Sequence, residues 1–210
     1  MSDAVVTKKL DIGATLRDGI DIGVKNIGPI LVNVLLWVVT IWIPYLNVGT
    51  TIGLMVGIVS KASKGEAIPY TEVFDPKYRK HMGEFFLTSG LVGIGVWVGM
   101  IFFIVPGIVI GLAWCLALLL VIDKGKNPTE AITLSNNCTY GYKWRMFAVY
   151  FITWLVFFIV QIILMSIGRA THSGGFISFM GFIVFLSALF EAFVFIGLQA
   201  SVYKQLAAEI

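Results

Sequence analysis

Apolar residues in this chain gather into four long stretches that alternate with short polar segments. The stretches lie at about 27–60, 85–122, 147–167 and 176–198. A helix needs about 20 apolar residues, and at least about 17, to cross the hydrocarbon core of a bilayer, so each of the first two stretches can hold two crossings only if the helices are short. Pro44 and Pro106 interrupt those two stretches, and proline fits the first turn of a new helix. The pattern predicts an all-α integral membrane protein, a six-helix transmembrane bundle built from three hairpins.

The composition agrees with this pattern, because 58% of the 210 residues are hydrophobic and only 13% are charged. Six crossings use nearly the whole length, so we expect a single polytopic membrane domain over 1–210. Its predicted parts are an interfacial helix (1–26), hairpin 1 (27–60), a cytoplasmic loop (61–84), hairpin 2 (85–122), a cytoplasmic loop with a surface helix (123–146), hairpin 3 (147–202) and a tail (203–210). The second helices of hairpins 1 and 2 are short, about 26 Å each, and could be re-entrant instead of spanning.

Basic residues fall almost entirely on one side of this layout. Of 15 lysines and arginines, 14 lie before, between or after the hairpins, and only Arg169 lies in an opposite loop. Basic loops stay in the cytoplasm. The asymmetry predicts a multi-pass protein of the cell (inner) membrane with both termini cytoplasmic and with membrane lipids as partners. No nucleic-acid partner is expected, because acidic residues are interleaved with the basic ones.

The segment before the first hairpin is predicted to form a cytoplasmic amphipathic helix at the membrane interface. Its apolar residues recur at helical spacing: Ile12, Leu16, Ile20, Val24 and Ile27. Charged residues alternate with them on the opposite side of the helix. We expect this apolar face to lie in the membrane interface.

Glu191 is the only acidic residue inside a predicted span. A carboxylate there costs about 3 kcal/mol on insertion scales and usually faces a bundle interior or a wet cavity. Asn33, Gln161 and Gln199 are polar residues that could join it. Two interpretations stay open: a ligand or ion path through these four residues, or a protonated, purely structural carboxyl.

Glycines at four-residue spacing predict close helix packing in the spans. They are Gly49, Gly53 and Gly57, then Gly95 and Gly99, then Gly107 and Gly111. Packing within one subunit is the first interpretation, and a homo-oligomer formed through these ridges is the alternative.

The loop after the fourth span begins with a helix-start pattern, Asn127-Pro128-Thr129-Glu130. This loop, together with the span before it, resembles the membrane domain of some bacterial glycerophosphodiester phosphodiesterases and of related integral membrane families of unknown function. The residues that carry the resemblance are Pro106, Gly107, Ala131, Ser135, Gly141 and Trp144. The resemblance implies a membrane module, and we expect no phosphodiesterase catalytic domain to accompany it here.

Catalytic patterns are not found in the sequence. His81 and His172 fall on opposite sides of the predicted membrane, so they cannot share a metal ion. We therefore expect a non-enzymatic protein without metal or cofactor. Its expected role is a membrane-embedded binding or organising module that docks a cytoplasmic or membrane partner or a lipid. The alternative is a small transporter or channel for a lipid-like or small solute, with Glu191 in the path.

Overall fold

The computed structural model describes residues 10–170 and 173–207, and this part of the chain is helical throughout, with no β-strand. The helices are α1 (Ile12–Lys25), α2 (Ile27–Thr40), α3 (Pro44–Ile52), α4 (Ile58–Lys64), α5 (Pro76–Lys80), α6 (Met82–Phe102), α7 (Ile104–Trp114), α8 (Ala117–Lys124), α9 (Pro128–Thr139), α10 (Lys143–Ala170) and α11 (Gly174–Leu206). A π-helical turn, Gly53–Gly57, joins α3 to α4, and a 3-10 turn, Glu72–Phe74, precedes α5. The all-α prediction is confirmed.

Four to five apolar spans are long enough to cross a membrane. They are Met82–Phe102, Ile104–Lys124, Lys143–Ala170 and Gly174–Leu206, and α1 with α2 would form a fifth if a 69° bend between them is accepted. The prediction of six spans is confirmed only to this extent. The stretch 27–60 does not supply two straight spans, because α2 has only 14 residues and the π turn interrupts the helix that follows.

Helices α6 and α7 run antiparallel in close contact. Gly99 faces Gly107, where an added Cβ would lie 2.9 Å from the Gly107 Cα, and Gly95 leaves room for the ring of Trp114. Gly95, Gly99 and Gly107, which were predicted to mediate helix packing, therefore contact residues of the same chain. Gly111 has more room, since its nearest neighbour, a Val96 methyl, lies 3.8 Å from a built Cβ.

Helices α10 and α11 also run antiparallel, but their two halves differ. At one end the buried residues include Met146 and Val149 of α10, and in α11 they run from Phe193 to Leu206. In what we call the distal half, residues 154–170 of α10 and 174–192 of α11, Gly168 is the single buried residue.

The well-packed end coincides with the basic residues, and we call it the basic end. It comprises Lys61, Lys64, Lys124, Lys143, Arg145 and Lys204. The ends of α4, α8 and α11 meet there, since Asp123 binds both Lys64 and Tyr203. Arg169, at the other end of α10, is about 39 Å from Lys143 along the helix. The predicted segregation of charge is present in the fold, whereas the side of the membrane that each end faces is still a prediction.

Helix α1 packs antiparallel along α11 at the basic end. The contact consists of glycines, because a Cβ at Gly19 or Gly23 would overlap the backbone of α11 and one at Gly197 would overlap the Gly19 carbonyl. Ser201 and Lys204 bind Asp18 at 2.8 and 3.3 Å. The predicted apolar face of this helix is directed partly away from the rest of the protein, since Ile20 and Val24 are each 45% exposed. That this face lies in the membrane interface is still a prediction. The face of α1 that packs against α11 carries glycines, because the two backbones are too close to leave room for a side chain.

The segment between the first two stretches packs against α3 and the π turn. Arg79 lies over Gly49, with its Cγ 2.7 Å from a built Cβ. Gly53 meets Val73, and Gly57 leaves room for Tyr78. Gly49, Gly53 and Gly57 therefore pack against this connecting segment and not against another apolar span. Gly49 lies only about 8 Å from Pro44 along the helix, so the aliphatic part of the Arg79 side chain reaches close to the proline that interrupts this stretch.

Candidate functional site

Two interrupted helices border a cavity of about 400 Å3 near the basic end. The residues that line it come from the π turn and α4, from the α7–α8 junction and from α10 and α11: Leu54, Met55, Val56, Val59, Cys115, Leu118, Leu119, Tyr150, Phe195, Ile196 and Gln199. This size and this mainly apolar lining with few polar groups are typical of sites for small organic ligands. We call it the membrane cavity.

The first interruption lies between Trp114 and Ala117, where α7 ends and α8 begins. A break in a membrane helix frees backbone groups, and each group without a partner costs several kcal/mol in hydrocarbon. Here α9 supplies the partners: Ser135 Oγ donates to the Ala113 carbonyl at 2.7 Å and accepts from the Leu116 N–H at 3.2 Å. Thr139 Oγ1 donates to the same Ala113 carbonyl at 3.3 Å.

This arrangement gives a physical role to the motif of the sequence analysis. A helix is present at the predicted position as α9, with the Asn127 side chain capping it and Pro128 in its first turn. Its location at the membrane surface is still a prediction. Ala131 and Ser135 are fully buried against the neighbouring helices. Gly141 follows with φ of 81°, a conformation that favours glycine. Trp144 is 64% exposed, as an interfacial anchor would be.

The second interruption is the π turn Gly53–Gly57. Such turns are rare inside helices and are frequent at functional sites. One side of this turn presents glycines to Tyr78, and the other side presents Leu54, Met55 and Val56 to the membrane cavity. The turn therefore links the packing of the 66–81 segment to the wall of the cavity.

One polar pair lies in the apolar lining. Tyr150 Oη donates to Gln199 Oε1 at 2.5 Å, and Gln199 Nε2 donates to the Cys115 carbonyl at 3.2 Å. The Cys115 carbonyl can only accept, so the amide nitrogen must face it and the tyrosine hydroxyl must be the donor to Oε1. The Gln199 side chain therefore forms hydrogen bonds both to α10 and to the break between α7 and α8.

Asp123, at the end of α8, is the centre of a hydrogen-bond network at the basic end. Its Oδ1 accepts from Ser60 Oγ at 2.5 Å and from Lys64 Nζ at 2.6 Å, and its Oδ2 accepts from Tyr203 Oη at 2.8 Å. This network holds α4, α8 and α11 together on the side of the membrane cavity that carries the basic residues.

Glu72 is the centre of a second network. It is only 3% exposed and accepts from Lys61 at 2.7 Å, from Tyr78 at 2.5 Å and from Lys77 at 3.4 Å. Burial by itself would raise the pKa of Glu72, but the bonds from Lys61 and Tyr78 and the charge of Lys77 outweigh it and hold that pKa below its usual value. Burial and the bond to Glu72 raise the pKa of Tyr78. Glu72 is therefore a buried carboxylate with its charge balanced.

The four polar residues predicted to line a path do not form one site. Gln161 Nε2 donates to Glu191 Oε2 at 3.1 Å, so those two meet in the distal half. Gln199 lies about 12 Å further along α11, in the membrane cavity. Asn33 is fully buried elsewhere, where it donates to the Pro29 and Pro69 carbonyls at 2.8 Å and accepts from the Val73 N–H at 3.0 Å.

Several important residues were missed by sequence reasoning. Neither Tyr150 nor Asp123 was given a structural role from the sequence. A tyrosine or a carboxylate close to the polar end of a span is a weak signal for a structural network, but its partners come from distant segments and cannot be identified locally.

Among residues 10–170 and 173–207, no group of three His, Cys, Asp or Glu side chains could hold a metal ion. His172, Lys8 and Lys9, which entered the sequence predictions, lie outside these residues. Comparisons of the chain with protein families, curated proteins and solved structures find no match. The resemblance to the phosphodiesterase membrane domain therefore stays a prediction.

Proposed function

We propose that this protein is a non-enzymatic membrane module that binds a lipid-like molecule in the membrane cavity. The observation that carries the proposal is the cavity itself: two interrupted helices and one polar pair border about 400 Å3 of mainly apolar space that is open on one side. Broken helices in membrane proteins commonly line ligand sites, where their irregular backbone is buried in protein. Apolar lining excludes a hydrated ion and suits a hydrocarbon chain.

The membrane topology that we propose has three hairpins entering from the cytoplasmic side of the inner membrane. α6 with α7–α8 and α10 with α11 cross it, while the first hairpin, α2 with α3, is re-entrant. Support comes from the basic end, where both described ends of the chain, Leu10 and Ala207, belong to one packed core. The position of Arg79 beside Gly49 supports the re-entrant first hairpin. Cysteine labelling from outside the cell tests this layout, and a label on residue 79 would contradict it.

A transporter with Glu191 in its path has less support. Glu191 and Gln161 pair with each other in the distal half, Asn33 has its hydrogen bonds filled by the 69–73 segment, and Gln199 belongs to the membrane cavity. A protein partner that docks at the basic end is compatible with the lipid-binding proposal, and lipid occupancy could regulate it.

Native mass spectrometry of the protein purified from membranes tests the proposal. We expect a co-purified lipid that is lost in Leu118→Trp, because the larger side chain fills the cavity. Ile94→Trp is the matched control, since Ile94 is 66% exposed on α6 and does not line the cavity. Equal lipid retention by the two variants, both folded, would contradict the proposal.

A further inference from the structure

We infer that the ligand of the membrane cavity is an uncharged lipid whose polar group is a hydroxyl and that this hydroxyl binds the side-chain amide of Gln199. The inference rests on the proposed function and adds the chemical class of the ligand. Its basis is the pattern of used and unused hydrogen-bond positions around Gln199, together with the distribution of charge near the cavity.

The charges around the cavity do not favour a lipid with an anionic headgroup. None of the residues that line the cavity carries a formal charge. The nearby lysines of α4 are already held by carboxylates, Lys61 by Glu72 at 2.7 Å and Lys64 by Asp123 at 2.6 Å. A phosphate would have to share these ammonium groups with Glu72 or Asp123, and its negative charge would be repelled by those nearby carboxylates.

The amide of Gln199 offers one donor and one acceptor position. A glutamine amide has two N–H donors and a carbonyl oxygen with two lone pairs. Within the described residues, Gln199 Nε2 uses one hydrogen on the Cys115 carbonyl, and Oε1 uses one lone pair on Tyr150. The same two bonds fix the orientation of the amide. A hydroxyl, which both donates and accepts, matches the two remaining positions, whereas an ester carbonyl matches only one.

The depth of this amide agrees with a lipid headgroup of small size. Gln199 lies five residues before Lys204, and Tyr150 lies five residues after Arg145, which is about 8 Å from each basic residue along its helix. A hydroxyl at this level is just below the polar boundary. The remaining lining residues, such as Leu118, Leu119 and Phe195, are apolar and would contact the attached chains.

Photo-crosslinking of the purified protein in lipid nanodiscs tests the inference with three probes that carry the same diazirine-labelled acyl chains. They are a diacylglycerol, its acetylated form, which has no hydroxyl, and the corresponding phosphatidic acid. We expect the diacylglycerol to label peptides around Leu54–Val59 and Phe195–Gln199 about fivefold more than either of the other two probes, the effect of one hydrogen bond.

Gln199→Met is expected to remove this preference, because methionine keeps the length of the side chain and has neither amide group. Gln161→Met is the matched control: it removes the other amide shared by α10 and α11, outside the cavity, and should keep the preference. The comparison of probes on the unaltered protein stands even if Gln199→Met fails to fold. Equal cavity labelling by all three probes would overturn this inference and leave the proposed function intact. If no probe labels cavity peptides, both are overturned.

Discussion

The two halves of the α10–α11 pair are similarly apolar in sequence but differ in what surrounds them. At the basic end, α11 is packed by α1, α4 and α10, and its residues from Phe193 onward are largely buried. In the distal half the same two helices leave most side chains exposed, including Phe179, Phe182 and Phe185. Lipid tails are as apolar as these side chains, so such exposure has little cost in a bilayer. Stability and specificity are therefore expected to reside at the basic end.

The largest effect is expected from a bulky residue in the glycine contact between α1 and α11. Gly197→Leu should lower the free energy of unfolding by about 3 kcal/mol or more, because its Cβ would overlap the backbone of α1. Gly181→Leu, on the same helix in the distal half, has no atom within 4 Å of a built Cβ and should change stability by less than about 0.5 kcal/mol. Thermal unfolding in detergent measures both, and similar losses would contradict the contrast between halves.

The next effect concerns a carboxylate at the basic end. Glu72→Gln should lower the free energy of unfolding by about 3 kcal/mol, because it leaves Lys61 and Lys77 without their buried partner. Asp21→Asn removes the partner of Lys25 in an exposed pair and serves as the control, with an expected loss close to zero because solvent screens the pair. Denaturant titration of the two variants in mixed micelles checks the difference. A loss as small for Glu72→Gln as for Asp21→Asn would show that the Glu72 network adds no stability.

Acid should remove part of the same stabilisation. The pKa of Glu72 is lowered in the folded protein from its ordinary value of 4.5, so the stability that it contributes is fully present above that pH. It should be lost as the pH falls from about 4.5 through the lowered pKa. The difference in unfolding temperature between the unaltered protein and Glu72→Gln is the measurement. A difference that stays constant from pH 7 to pH 3 would contradict the assignment.

A smaller effect is expected at the helix break. Ser135→Ala should cost about 2 kcal/mol, since it leaves the Leu116 N–H without its partner and removes a bond to the Ala113 carbonyl. Ser166→Ala is the distal control, because Ser166 is exposed and only binds the carbonyl four residues earlier, at Ile162. Urea unfolding monitored by tryptophan fluorescence separates the two. If the serines proved equivalent, the break would not depend on α9.

The smallest effect is expected at Glu191. Glu191→Gln keeps a side chain that can bind Gln161 and should change the unfolding free energy by less than about 0.5 kcal/mol. Lipid binding should also be unchanged, because Glu191 does not line the membrane cavity. Unchanged stability and unchanged lipid binding in Glu191→Gln would show that Glu191 is not a functional residue. A loss of bound lipid would instead connect the distal half to the site.

Parts of the site were accessible from sequence and others were not. The start of α9 was predicted correctly because a helix cap depends on adjacent residues, here Asn127 and Pro128. Gln199 was identified as a polar residue of a span, but its proximity to Tyr150 and Cys115 was not. Glu191 was given more weight than Gln199, because the cost of a charge in hydrocarbon can be estimated from sequence and a cavity cannot.

The sequence by itself determined the helical class, the membrane-length apolar stretches and the separation of nearly all basic residues from Arg169. These follow from local properties: the transfer of side chains from water, the spacing of apolar residues and the capping of helices. The tertiary structure alone decided which apolar residues are buried and which are exposed, why Gly19, Gly23 and Gly197 are needed, and how segments distant in the chain border one cavity. Hydropathy scores a side chain identically whether it contacts a leucine or a lipid tail, so only the packing of the helices shows that the apolar residues of the basic end are buried and those of the distal half are exposed.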